Sequence, residues 1–352
     1  MQQFADIRGT DPTNDRRSYP IFVMGCHRSG TNLLYDTLLS AGGFAVYRGY
    51  LPVYKMLIPR FGDLRKIENR QKLMRTWLRS KGFRRSGLNP EEFTRCVLND
   101  CRTGGDFIRI TMDQIAWNQK AIRWAVYDPD NVLYMPNIKK DIPEALFIHI
   151  IRDGRDIALS LKKMGGFQPL PWDSTSRGLQ ATALYWEWMV RNGRQHGREF
   201  PADYVEIRYE DLVSEPRTTL ATLGKFLQHD LDYSRIQTAA LGSLRESNSS
   251  FREELLQTLQ SPINRWKQRL SPSEIARIEA LVGNCLQEFG YPLALPEHER
   301  KPGLREMWMR ACYFSYLDSK LWLKLRTPAG RLTDISALEL IESVPEPESV
   351  SS

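Results

Sequence analysis

Long apolar runs are missing from this 352-residue chain: no stretch approaches the roughly 18 uninterrupted apolar residues that a membrane-spanning helix needs. The opening residues, 1–14, also lack the apolar core of a signal peptide, so the reading is a soluble, cytoplasmic protein without a transmembrane segment. Cysteine is scarce. The five thiols, Cys26, Cys96, Cys101, Cys285 and Cys312, are odd in number and form no Cys-x-x-Cys pair, which suggests neither a disulfide framework nor a zinc site. Zinc-finger spacing, a helix-turn-helix and the aromatic signature of RNA-binding domains are equally absent, and no nucleic-acid partner is expected. Neither sign of charge dominates. With 49 Lys and Arg against 42 Asp and Glu, the formal charge of +7 favours anionic ligands without selecting one. A hydrophobic content of 41% is enough to bury a full core, and no internal repeat of fixed period is present.

What is present is an alternation. The run Tyr19-Pro20-Ile21-Phe22-Val23-Met24, stopped by Gly25, predicts a buried parallel strand, and Leu33, Leu34, Thr37, Leu38 and Ala41 recur at helical spacing after it. Residues 60–120 read as mainly helical, the place for a substrate-facing insertion. A second buried strand is predicted over 145–151 with a helix around 157–161, and a third strand over 204–209 between helices near 184–189 and 220–227. Strands alternating with helices imply an α/β fold, a parallel sheet flanked by helices. Ser271-Pro272-Ser273-Glu274 signals a capped helix whose stripe Ile275, Ile278, Val282, Cys285 and Phe289 packs in the core until Gly290 ends it. The predicted organisation is a polar leader over 1–18, one domain over 19–296, a helical extension over 297–342, and a disordered tail over 343–352, too poor in apolar residues to pack.

The loop after the first strand carries the chemistry. Gly25-Cys26-His27-Arg28-Ser29-Gly30-Thr31-Asn32 lies between a strand and a helix, where backbone N–H groups and the helix dipole can surround a phosphate. Gly25 and Gly30 keep the spacing of the P-loop G-x-x-x-x-G-K-[ST], but position 31 is Thr where triphosphate-binding loops have Lys. The cation comes earlier, as Arg28.

Arg28-Ser29-Gly30-Thr31 resembles the 5′-phosphosulfate loop of the sulfotransferases that use 3′-phosphoadenosine-5′-phosphosulfate, and the chain is closest in pattern to their bacterial and tyrosylprotein types. A second signature of that family, an Arg closing a strand and a Ser eight residues on, is matched by Arg152 and Ser160. Arg208-Tyr209-Glu210 is similar to the strand end that sets a Tyr beside the adenine. Arg265-Trp266-Lys267, preceded by 247–251, resembles the late loop near the nucleotide. The resemblance implies a P-loop-like fold and 3′-phosphoadenosine-5′-phosphosulfate as donor, with no metal. It also implies transfer of the sulfuryl group to a hydroxyl or amine of an acceptor that the sequence does not name. Arg28 would stabilise the leaving oxygen, Ser29, Gly30, Thr31 and Asn32 would hold the 5′-phosphate, and Arg152 and Ser160 the 3′-phosphate. Tyr209, Arg265, Trp266 and Lys267 would border the nucleotide.

Two departures stand out. Where relatives place a Glu about twenty residues after the loop, this chain reads Phe44-Ala45-Val46-Tyr47-Arg48-Gly49-Tyr50. In place of Lys-Thr-Pro it has Tyr127-Asp128-Pro129. Asp128 is then a candidate relocated base, although a turn-forming Asp before Pro is the commoner meaning. Asp63, Asp106 and His149 are further candidates, with His149 read as a core histidine and Arg155 and Asp156 as parts of a structural ion-pair cluster. Alternatives are a P-loop kinase or other nucleoside triphosphatase, against which the missing Lys argues, and a donor-binding scaffold without catalysis. The aromatic and basic run over 306–326 is expected to dock as a helix through its aromatics, with at most weak membrane-surface contact.

Overall fold

The computed structural model describes residues 15–164, 178–245, 263–296, 298, 300 and 303–340. Five strands form its sheet: β1 (Ile21–Gly25), β2 (Phe44–Ala45), β3 (Arg123–Tyr127), β4 (Leu146–Ile151) and β5 (Tyr204–Arg208). Their spatial order is β2-β3-β1-β4-β5 and every pairing is parallel, with Phe22 opposite Val126 on one side and Phe147 on the other. β1 and β4 are buried along their whole length because helices cover both faces, which is why both read as unbroken apolar runs.

The principal helices are α1 (Thr31–Ser40), α2 (Ile67–Trp77), α3 (Pro90–Asp100), α4 (Gly104–Asn118), α5 (Gly154–Lys163), α6 (Leu179–Gly197), α7 (Pro216–Leu227), α8 (Pro272–Glu288) and α9 (Leu304–Arg326). One core cluster joins α4, α6 and α8 to one face of the sheet. Ile21, Val23, Ile148 and Ile150 pack with Leu34 and Leu38 of α1 on the other. α8 has the capping box expected of it, and Gly290, at a φ of 77°, turns the chain out of the helix.

β2 and β3 escape the sequence reading. β2 is only two residues long, and β3 opens with Arg123, whose charge hides a strand that is nonetheless buried. The Arg123 guanidinium donates to the carbonyls of Tyr19 and Leu227, so the charge ties the strand to the chain ends around it. Burial lowers its pKa to about 10. α9 docks through part of its aromatic run: Tyr313 and Leu317 are buried in the core and Phe314 and Tyr316 pack against it, while Trp308 is 71% and Trp322 57% exposed. Polar ties add to the docking, Arg310 to Glu187 and Asp318 accepting from Trp188 Nε1 at 2.7 Å. The leader before Asp15, the segment 247–251 and the tail over 343–352 lie outside the described residues.

Candidate active site

In an open parallel sheet the strands' carboxyl ends converge on a crevice where the connections diverge to opposite sides. Here β1 ends in the Gly25–Asn32 loop, β3 in Asp128, β4 in Arg152 and β5 in Tyr209. These four neighbouring strand ends, with α5 and the segment at Arg265, enclose a cavity of about 510 Å3.

The loop's shape follows from its glycines. A Cβ on Gly25 would lie 2.3 Å from the Ile150 carbonyl oxygen. One on Gly30, already at a φ of 99°, would meet the Tyr209 ring at 2.5 Å. Arg28 also takes a left-handed conformation, φ 72°, which an arginine adopts only where its surroundings hold it there. They do: its Nε donates to Ser160 Oγ at 3.1 Å, and its carbonyl accepts from Arg152 Nη1 at 3.2 Å. Arg152 lies over the Tyr209 ring at 4.4 Å and within 3.8 Å of Asp156. Burial, and after it the charge of Arg152, holds the Arg28 guanidinium below its ordinary pKa, a repulsion that an anion in the cavity would relieve.

Arg28, Gly30, Thr31, Asn32, Asp128, Arg152, Ser160, Tyr209 and Arg265 all line the cavity. Ser29 lies behind them, fully buried, with a hydroxyl that has no partner among the described residues. Trp266 and Lys267 are not in the lining: Trp266 is buried beneath the Arg155 guanidinium at 3.7 Å, and Lys267 is exposed. Asp63 pairs with Arg65 on the surface, and Asp106 belongs to the capping box of α4. His149 is a core histidine, its Nδ1 2.6 Å from the Tyr204 hydroxyl, and burial brings its pKa down to about 4.

The profile described as the sulfotransferase family matches residues 20–233, from β1 past α7. The chain belongs to the sulfotransferase family. It is 27% identical over 222 residues to a provisionally named protein-tyrosine sulfotransferase of Caenorhabditis briggsae, covering 61% of this chain and 66% of that one. A second, from Caenorhabditis elegans, is 26% identical over 162 residues, 46% of this chain and 58% of that one. The matches thus span less than two thirds of these relatives' own lengths. Among solved structures, the sulfotransferase domain of the Synechococcus PCC 7002 olefin synthase superposes with a TM-score of 0.49 at 17% identity, covering 82% of this chain and 99% of that domain.

In this sulfotransferase-family chain the motif after β4 divides its charges between cavity and core. α5 is capped by Asp153, not by Asp156 as helix spacing suggests. Asp156 instead accepts from the backbone N–H groups of Asn264 and Trp266, both at 2.9 Å, which fastens the Arg265 segment to the cavity rim. Arg155 is buried between Asp153 and Glu279, 2.7 Å from each. These contacts form the structural ion-pair cluster expected for Arg155.

Opposite the phosphate-type loop lies a constellation that sequence spacing does not reveal. Asp128 and Asp130 are both buried on one turn, Asp128 Oδ1 accepting from Asp130 N at 3.1 Å. Asp130 Oδ2 is paired with Lys55 and stands 3.3 Å from His27 Nε2, and the His27 ring stacks on Tyr185. Asp128 Oδ2 is buried with no partner among the described residues. Burial first, then the Asp130 charge, raises Asp128 to about 6 against the opposing pull of Lys55 and His27, while those two side chains hold Asp130 well below the usual carboxylate range. The pair of aspartates around Pro129 was a visible signal; Lys55, some seventy residues earlier in a π-helical turn over 53–57, gave none.

Proposed function

We propose that this chain transfers the sulfuryl group of 3′-phosphoadenosine-5′-phosphosulfate to a hydroxyl or amine of an acceptor. The observation that carries the reading is the convergence of Arg28 and Arg152 on one cavity at the strand ends, with the unsatisfied Ser29 hydroxyl buried behind its wall. A half-buried guanidinium, Arg28, and a buried one, Arg152, beside a loop narrowed to glycine fit a ligand with two separated anionic groups. Arg28 with Ser29, Gly30, Thr31 and Asn32 would hold the 5′-phosphate side, and Arg152 with Ser160 the 3′-phosphate. Tyr209 and Arg265 would border the base; Trp266 and Lys267 would act from behind, through Arg155 and the rim.

The chemistry needs in-line attack and fixed charge at the leaving oxygen. The acceptor oxygen or nitrogen forms a bond to sulfur as the sulfur–oxygen bond to the 5′-phosphate breaks, its electron pair passing to the phosphate oxygen near Arg28. The acceptor's proton goes to a carboxylate, a role for which the position of Asp128 in the cavity wall speaks. Thr31 in place of the triphosphate lysine favours this reading over a kinase. A screen of acceptors with sulfur-labelled donor tests it: labelled product supports transfer, whereas donor binding with no product across the screen would favour a non-catalytic scaffold.

Adenosine 3′,5′-bisphosphate is expected to raise the melting temperature, by about 2.7 kcal/mol of stability at a hundredfold excess over Kd. AMP should stabilise far less, because Arg152 and Ser160 select the 3′-phosphate. Equal thermal shifts with both nucleotides would remove the basis for the donor assignment.

Among the described residues no helix is long and apolar enough to cross a membrane. On the exposed face of α9, Trp308 and Trp322 are separated by Ser315, Asp318 and Ser319, which interrupt any continuous apolar stripe. Co-sedimentation with anionic liposomes should therefore be weak. Strong, salt-sensitive binding would show that this face is a membrane contact.

A further inference from the structure

The two carboxylates of the Asp128-Pro129-Asp130 turn are buried side by side, and two like charges so placed cannot both be left uncompensated. The structure divides them. Asp130 takes both nearby basic side chains, Lys55 and His27, and is fixed in an ion pair with Lys55. Asp128 keeps one oxygen on the Asp130 backbone N–H, which makes the turn, and has the other without a partner. A buried acceptor atom without a partner is costly unless something outside the chain uses it, and Asp128 lines the cavity in which the acceptor must meet the donor. The turn-forming and catalytic readings of Asp128 are thus served by different oxygens of one side chain.

We propose that Lys55 and Asp130, with His27, are positioning residues that hold Asp128 as the carboxylate taking the acceptor's proton. Asp130 meets Asp128 from its own turn, His27 from the phosphate-type loop, Lys55 and the Tyr50 hydroxyl from the segment before α2, and Lys324 from α9. The hydroxyls of Tyr127, Tyr134 and Tyr185 complete the surroundings. Lys55 is the pivot, since it bonds Asp130 and also reaches the Tyr50 hydroxyl. Its ammonium cancels the Asp130 charge, and so lets Asp128 ionise near neutral pH despite its burial. In turnover the acceptor's proton passes to Asp128 as the oxygen–sulfur or nitrogen–sulfur bond forms, and is released to water after the product leaves.

The inference rests on the sulfuryl-transfer reading, and its test separates the two. The full chain, with its aspartates labelled at the carboxyl carbon, is titrated by NMR from about pH 4 to about pH 8, with and without adenosine 3′,5′-bisphosphate. The resonance lost in Asp128→Asn should titrate near about 6. In Lys55→Met it should move up by about one pH unit or more, in Asp130→Asn it should move down, and in Lys55→Arg it should stay near wild type. Opposite displacements are the decisive feature, because general loosening of the fold would move both variants the same way, toward the ordinary aspartate value. Should Lys55→Met fail to fold, Lys55→Gln takes its place, since the upward shift on losing the ammonium, beside retention in Lys55→Arg, is what loosening cannot produce. An Asp128 resonance that titrates at about 4 in the wild type, or ignores both substitutions, overturns the proposal. Failure of the bisphosphate to bind would instead sink the sulfuryl-transfer reading, and would leave these titrations as they stand.

Discussion

Arg28→Ala is expected to abolish sulfuryl transfer while the fold survives. The guanidinium lies in the cavity wall at the start of α1, where negative charge on the leaving oxygen would develop, and losing a dedicated donor of that kind costs about 3 kcal/mol or more in barrier. That corresponds to a fall in turnover of about a hundredfold or more. The fold should tolerate the change because the left-handed backbone at position 28 strains an alanine no more than it strains the arginine, and the side chain, which bonds Ser160, lies in the cavity wall and not in the core. Binding of adenosine 3′,5′-bisphosphate should fall less than turnover, since Arg152, over Tyr209, stays in place. Arg28→Lys should recover part of the rate, keeping the charge and losing the planar fork. Single-turnover transfer with the best acceptor from the screen, beside product affinity by calorimetry, measures both. Near-normal turnover in the alanine variant would return Arg28 to a purely structural role.

The largest effect on stability should come from Arg155→Met. Arg155 is 0% exposed, is held by both Asp153 and Glu279, and covers the Trp266 ring, so its removal leaves two buried carboxylates without their cation. Breaking a buried pair in this way costs about 3–5 kcal/mol. Urea denaturation should show the midpoint displaced without a change of slope. The triple variant Arg155→Met, Asp153→Asn, Glu279→Gln should recover much of the loss, because no uncompensated charge remains buried. A single variant as stable as the wild type would mean that water or rearrangement satisfies the carboxylates, and that the cluster does not set the stability of this region.

How much of this was legible in the chain depends on where each residue sits. The proposed donor half of the site is carried by strand ends whose apolar runs, β1 and β4, are continuous, and by short contiguous motifs at Arg28 and Arg152. Local spacing suffices to find such features. β3 was hidden because its first residue, Arg123, is a buried charge satisfied by distant carbonyls, and no hydropathy pattern foretells that. The acceptor side was hidden for a related reason: Lys55 and Asp130 meet only in three dimensions. Trp266 was visible as a motif but misleading as to place, since its ring serves the Arg155 cluster and is absent from the cavity wall. In α9 the aromatic run told only part of the story: Tyr313 reaches the core, Trp308 and Trp322 stay exposed, and the polar pairs to α6 that add to its docking are formed only in three dimensions.

The strand order has a kinetic consequence. β1, in the centre of the sheet, pairs with β3 and β4, which the chain reaches only after about a hundred further residues, and β5 is later still. Contacts so distant in sequence demand the closure of long loops before any pairing energy is returned, which places this chain among slow folders. The cavity is assembled from those same strand ends, so it cannot exist in any early, locally structured species. A nucleotide can therefore capture the finished sheet but cannot template it, and a nascent chain that has emerged only as far as β3 has made the phosphate-type loop without yet having Arg152 or Tyr209 to bind against.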